Sequence, residues 1–126
     1  MPEYVVRRLI SALNQRRLAV NGSRILLLGL AYKKNTGDAR ESPARVVAER
    51  LLSLGAEVRA ADPHLAFDMV DGRITLVEAS AVEVSASDAV IVLVDHDAFD
   101  LQAVVAVAPY VLDTRHCVAG PNVEYL

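Results

Sequence analysis

Three short stretches gather the groups that could bind or transform a ligand. Lys33, Lys34 and Arg40 lie within YKKNTGDARE, residues 32–41, immediately ahead of Ser42-Pro43. Serine is a strong N-cap and proline suits a first helical position, so this run of cations leads into a helix amino terminus. Free N–H groups and the positive end of the helix dipole favour an anion there, and the chemistry that fits is a phosphate or pyrophosphate. A solvated basic loop is the alternative. The second stretch is Asp113-Thr114-Arg115-His116. Arginine suits bidentate phosphate contact, so Arg115 could clamp one ligand together with Lys33; it could equally pair with Asp113 or another surface acid. The third is Asp95-His96-Asp97. It reads better as a helix-capping Asp97 and a hydrogen-bonded loop histidine than as a catalytic pair.

Other candidates fail on spacing. Gly29 and Gly37 do not form G-x-G-x-x-G or G-x-x-x-x-G-K, the two common nucleotide fingerprints. Asp62 stands where a dinucleotide fold places its ribose-binding acid, but without the glycines it reads as a turn residue before Pro63. His64, His96 and His116 lack metal-ligand spacing with one another or with Cys117, so no zinc site is predicted. A lone cysteine is usually a small hydrophobe, and no catalytic constellation is visible.

The elements that must position these groups follow an α/β pattern. Residues 2–17 are predicted to form a helix with Val5, Val6, Leu9, Ile10 and Leu13 on its apolar side, and Asn21-Gly22-Ser23 then turns the chain. That helix could be a docking element or a core helix. A nearly all-apolar strand follows at 24–30, as expected where both sheet faces are covered. A helix opens at Ser42-Pro43 with the stripe Ala44, Val47, Ala48, Leu51 and Leu54, and stops at Gly55. Strands are predicted at 57–61, 74–77 and 89–94, with the last at 110–113, and Asp71-Gly72 marks a turn. Helices are predicted at 79–86 and 101–108. Strands and helices alternating in this way imply a three-layer, Rossmann-like sandwich with a mainly parallel sheet, whose ligands bind at the carboxyl ends of the strands. The connection at 31–41 exceeds the usual 2–6 residues, and long loops tend to carry function.

Composition bounds the rest. The chain has 126 residues, 53% of them hydrophobic and 23% charged, which suits one folded domain and excludes disorder. The longest apolar run, Ile25 to Tyr32, is far shorter than the roughly 20 residues of a membrane span. No signal peptide is visible, and a single cysteine fits a reducing, cytoplasmic location. A net charge of −3 argues against general nucleic-acid binding but leaves room for a local anion site.

With these residues on the page, Gly29 to Ala44 (GLAYKKNTGDARESPA) resembles the hallmark loop of the carboxy-terminal domain of UDP-glucose/GDP-mannose dehydrogenases. Four further stretches agree in order: MPEYVV at the start, LGAEVRAADPH at 54–64, VDHDAF at 94–99 and DTR at 113–115. The resemblance implies that residues 1–20 end a central helical, dimerising domain and that 21–126 form the nucleotide-sugar-binding domain. Complete members oxidise the 6-hydroxymethyl of a nucleotide sugar to a carboxylate in two NAD-dependent steps, supplying polysaccharide precursors. They do so as homodimers or larger assemblies, and a separate amino-terminal domain holds NAD. Carried over by position, Tyr32, Lys33 and Arg115 match contacts to the UDP-sugar, and Arg40 matches an arginine that reaches NAD. Neither the NAD fingerprint nor the motif of the catalytic cysteine is present, and Cys117 matches nothing catalytic, so the chain looks like an excised or truncated piece, inactive alone. The N-acetylhexosamine type of sugar fits VDH and DTR slightly better than the glucose type. A stand-alone nucleotide-binding or regulatory module is the alternative, separable by the reading frame upstream of Met1.

Overall fold

The computed structural model describes residues 2–31, 42–65 and 72–126. Its centre is a six-stranded sheet in the order β3-β2-β1-β4-β5-β6. The strands are β1 (Arg24–Leu28), β2 (Glu57–Ala61), β3 (Thr75–Leu76), β4 (Ala89–Val92), β5 (Val111–Asp113) and β6 (Val123–Tyr125). Every neighbouring pair is parallel. Among the described residues four helices flank the sheet: α1 (Pro2–Gln15), α2 (Pro43–Ser53), α3 (Ala81–Ser85) and α4 (Leu101–Val107).

Successive strand residues face opposite ways, and the two cores divide accordingly. Ile25 and Leu27 of β1, with Ala89 and Ile91 of β4, pack under α1 and α2. Leu26, Leu28, Val90 and Val92 pack on the other side under Val84 of α3 and Val104 of α4. All four residues of β4 are buried, as are Ile25 to Leu28 of β1, which is why these strands are apolar throughout. The three-layer arrangement is the one predicted, with a sheet that is parallel across all six strands.

Two details depart from the expected pattern. In α1, Ile10 is 39% exposed and Ala12 is buried instead, because the contact stripe is Val5, Val6, Leu9, Ala12 and Leu13. Those residues join the same core as Val47 and Leu51 of α2, so α1 is a core helix. The strand at 110–113 is not the last: β6 follows and pairs with β5 through Val111↔Val123, Leu112↔Glu124 and Asp113↔Tyr125. The predicted turn at Asp71-Gly72 falls partly outside the described residues.

An ionic cluster ties α3 to the sheet. Glu83 on α3 accepts from Arg24 Nη2 at 2.9 Å and from Arg59 through both Nε and Nη2, the latter at 3.1 Å. Arg24 N–H donates to Asp88 Oδ2 at 2.8 Å, so the start of β1 is held from two directions.

The chain runs outward from β1 through β2 to β3, then returns to β4 on the other flank of β1. The crevice between the carboxyl ends of β1 and β4 is therefore the switch point at which open parallel sheets bind ligands.

Candidate functional site

Three loops meet at that crevice, and buried polar groups hold each in place. The loop after β1 begins at Gly29 with φ +91, a conformation that favours glycine. A Cβ there would stand 2.5 Å from Val94 Cβ and 2.9 Å from Val94 N and O. The next two N–H groups, of Leu30 and Ala31, donate to Asp62 Oδ2 at 2.8 and 3.1 Å. On the far side of the 32–41 connection, Ser42 caps α2: its Oγ accepts from Arg45 N–H at 3.1 Å and donates to Leu30 O at 2.8 Å.

The loop after β4 is pinned to β1 by the N–H groups of Leu93 and Val94, both donating to Leu28 O. It carries Asp95 and His96. The His96 ring is buried, with Nε2 3.0 Å from Asp62 Oδ2 and the rings of His64 and Phe99 beside it. His96 is thus the hydrogen-bonded loop histidine that was predicted. Asp97 is not the helix cap. A turn closed by Phe99 N–H on His96 O delays the helix, and Asp100 caps α4 by accepting from Ala103 N–H at 3.1 Å. Asp62 does act at a turn, accepting from His64 N–H at 2.9 Å, but its larger role is to hold the loops after β1 and β4 together.

The loop after β5 is shaped by Asp113, which is fully buried. Its Oδ1 accepts from Arg115 N–H, and its Oδ2 accepts from the N–H groups of Cys117 and Val118. The Cys117 thiol lies 3.6 Å from Asp113 Oδ1; burial first, and then the neighbouring carboxylate, push its pKa up to about 11. Thr114 Oγ1 donates to Val92 O at 2.7 Å, drawing this loop against β4.

Arg115 therefore stands at the switch point. Its guanidinium pairs with Asp95, not with Asp113, at an Nε–Oδ1 separation of 3.4 Å. The contact is an ion pair without hydrogen-bond alignment, since Asp95 Oδ1 is buried and accepts no hydrogen bond. The Arg115 side chain is 49% exposed, so it remains accessible to a ligand. A cavity of about 120 Å³ opens beside it, bounded by Ala31, Val94 and Thr114 at the strand ends and by Pro43 and Ala44 at the start of α2. Arg115 and the start of α2 thus border one small space, whose other walls are largely apolar and include Pro2 and Val5 of α1; the arginine is its one cationic group among the described residues. Tyr32, Lys33, Lys34 and Arg40 lie outside the described residues.

A larger cleft of about 660 Å³ lies beyond the ends of β2 and β3, lined by Asp62, Pro63, Val77, Glu78, Phe99 and Asp100 among others. Its described ionisable lining is acidic, so it is the poorer seat for a pyrophosphate despite its size. Among the described residues no cluster of His, Cys, Asp or Glu could hold a metal ion, and no helix is long and apolar enough to cross a membrane.

Residues 26–120 match the UDP binding domain of the UDP-glucose/GDP-mannose dehydrogenase family. The chain belongs to that family. It is 38% identical over 99 residues to a UDP-N-acetyl-D-mannosamine dehydrogenase of Methanococcus maripaludis, covering 79% of this chain and 22% of that protein. It is 40% identical over 110 residues to a UDP-glucose 6-dehydrogenase of Bacillus subtilis, covering 78% of this chain and 24% of that protein. Its fold is shared with an NDP-N-acetyl-D-galactosaminuronic acid dehydrogenase of Methanosarcina mazei at a TM-score of 0.81 and 23% identity, covering 99% of this chain and 28% of that structure. The chain thus spans about a quarter of the length of these relatives.

What the strand-end residues miss on their own is the organising role of Asp62, Asp113 and Thr114. Asp62 and Thr114 act on partners distant in sequence, which local spacing does not mark, whereas Asp113 organises its own loop through Arg115, Cys117 and Val118.

Proposed function

We propose that this chain is the UDP-sugar-binding part of an NAD-dependent nucleotide-sugar 6-dehydrogenase, with residues 1–20 belonging to a preceding helical domain. The observation that carries the reading is Arg115 beside the cavity at the β1–β4 switch point, next to the start of α2. In this reading Arg115 and Lys33 meet the diphosphate and Tyr32 meets the nucleoside. Binding energy from the UDP end then holds the sugar in place for oxidation carried out by groups elsewhere.

The residues of this chain do not fit NAD. The turn after β1 lacks the glycine fingerprint, and the N–H groups of Leu30 and Ala31 are already taken by Asp62. NAD therefore belongs to another domain of the same polypeptide, which Arg40 reaches from here, and this chain alone is inactive. The complete enzyme works in the cytoplasm as a homodimer or larger assembly, on UDP-glucose or a UDP-N-acetylhexosamine.

Calorimetric titration with UDP tests the site. Binding is weak, because the site is shared with another domain, and it weakens further with ionic strength as the half-exposed Arg115 is screened. Lys33→Ala and Arg115→Ala each reduce affinity; parent-like affinity in both variants overturns the assignment. In the complete enzyme Arg40→Ala raises the KM for NAD, and an unchanged KM removes the cofactor role.

A further inference from the structure

We propose that Asp62 and His96 are positioning residues for the nucleotide site, acting as a buried clamp that sets the loops after β1, β2 and β4 relative to one another. The inference rests on the UDP reading above.

Both side chains are completely buried, and their contact is 3.0 Å between His96 Nε2 and Asp62 Oδ2. The same oxygen accepts from Leu30 and Ala31 N–H, and the other accepts from His64 N–H. A carboxylate can only accept, so His96 Nε2 carries the hydrogen in this contact. One carboxylate thus collects donors from the loop after β1, the loop after β2 and the loop after β4. Tyr32 and Lys33 follow Ala31 directly in the chain, so the backbone from which they depart is fixed by Asp62. Asp95 precedes His96 directly and lies against Arg115. The orientation of the Arg115 partner therefore depends on the same imidazole. His64 and Phe99 pack their rings at 4.7 and 5.6 Å from that imidazole, which leaves it little room to turn.

Buried polar networks of this kind are rigid when every member is satisfied and lose that rigidity when one partner is removed. A ligand that meets loops already held in register avoids the ordering cost of assembling them on binding. The proposed contribution of the clamp is to the alignment of the groups that meet the ligand.

The test uses the chain with three substitutions: Asp62→Asn, His96→Leu and His96→Gln. Three quantities are read: NMR hydrogen exchange at the Leu30 and Ala31 amides, thermal unfolding, and UDP affinity by calorimetry. Asp62→Asn and His96→Leu should each speed exchange at both amides and weaken UDP binding at least about tenfold, equivalent to about 1.4 kcal/mol. His96→Gln keeps a side-chain N–H for Asp62 and should stay within about threefold of the parent affinity. Each disruptive variant reads alone if the other fails to fold. A purely structural pair would lower the melting temperature while leaving the UDP affinity of the folded protein unchanged, and that result overturns the proposal. Parent-like exchange at Leu30 and Ala31 in a folded disruptive variant overturns it as well. A parent chain that does not bind UDP sinks the nucleotide reading instead, and the exchange rates still decide whether the clamp exists.

Discussion

Ser42 Oγ donates to the carbonyl oxygen of Leu30 at 2.8 Å, joining the two ends of the long connection between β1 and α2. The same hydroxyl caps α2, and its residue is fully buried. One side chain therefore both starts the helix and closes the base of the loop that carries the family's motif. Ser42→Ala removes the cap and leaves a buried carbonyl without its partner. It should cost about 1–3 kcal/mol, measured by denaturant unfolding. A loss below about 0.5 kcal/mol would mean that water replaces the hydroxyl at no penalty.

Gly29→Ala should be strongly destabilising. The backbone is in a left-handed conformation, and the added Cβ meets Val94 Cβ at 2.5 Å and its backbone atoms at 2.9 Å. Strain and overpacking together should lower stability by about 2–5 kcal/mol. Thermal melting of the variant checks this, and a melting temperature close to that of the parent would show that β1 and the loop after β4 can separate freely.

Glu83 makes stability depend on acid pH. Hydrogen bonding from Arg59 first, reinforced by Arg24 and opposed by burial, holds its carboxyl below the usual carboxylate range. The folded state therefore binds this proton less readily than the unfolded state. The resulting stabilisation is present above the unfolded value of about 4.3 and is lost as pH falls through the lower folded value. Glu83→Gln should cost about 1.5–3 kcal/mol at neutral pH, the worth of a charged hydrogen bond. The gap between parent and variant should close in acid. A gap that persists unchanged at pH 3 would remove the electrostatic explanation.

Cys117 should be a sluggish thiol although its residue is exposed. Its sulfur faces Asp113, and with a pKa near 11 little thiolate exists at pH 8. Alkylation by iodoacetamide should be slower than that of an unperturbed thiol by on the order of a hundredfold, reflecting the thiolate fraction. The rate should keep climbing through pH 10. A plateau reached by pH 9 would contradict the assignment.

The core elements were legible because their signals are local. Ser42-Pro43 and Gly55 bracket α2, and the unbroken apolar runs of β1 and β4 announce a sheet covered on both faces. β6 was not legible: the alternation of Val123, Glu124 and Tyr125 is only three residues long, and what makes them a strand is β5 alongside. The choice between Asp97 and Asp100 as a cap was equally hidden, because the turn at 96–99 that decides it is a backbone hydrogen bond. Arg115 was legible as a cation at a strand end, whereas its partner Asp95 lies in a separate loop and could not be picked out from other acids. Asp62 shows the same limit most plainly. Its turn contact to His64 is two residues away and readable, while its contacts to Leu30, Ala31 and His96 span about thirty residues and exist only through the fold.

Asp62 also explains how a sheet with this strand order can lack the usual anion seat. In a dinucleotide fold, the turn after the first strand offers its backbone amides to an incoming pyrophosphate. Here the amides of Leu30 and Ala31 are spoken for by a carboxylate of the chain itself, a tethered anion that never dissociates. The turn is self-occupied, and on the proposed reading a diphosphate takes its counter-charge from side chains such as Arg115. Backbone donors would have favoured the anion at almost any ionic strength, but side-chain cations are screened. An anion held by such exposed side chains, and not by backbone amides, would be one whose grip the surrounding salt sets.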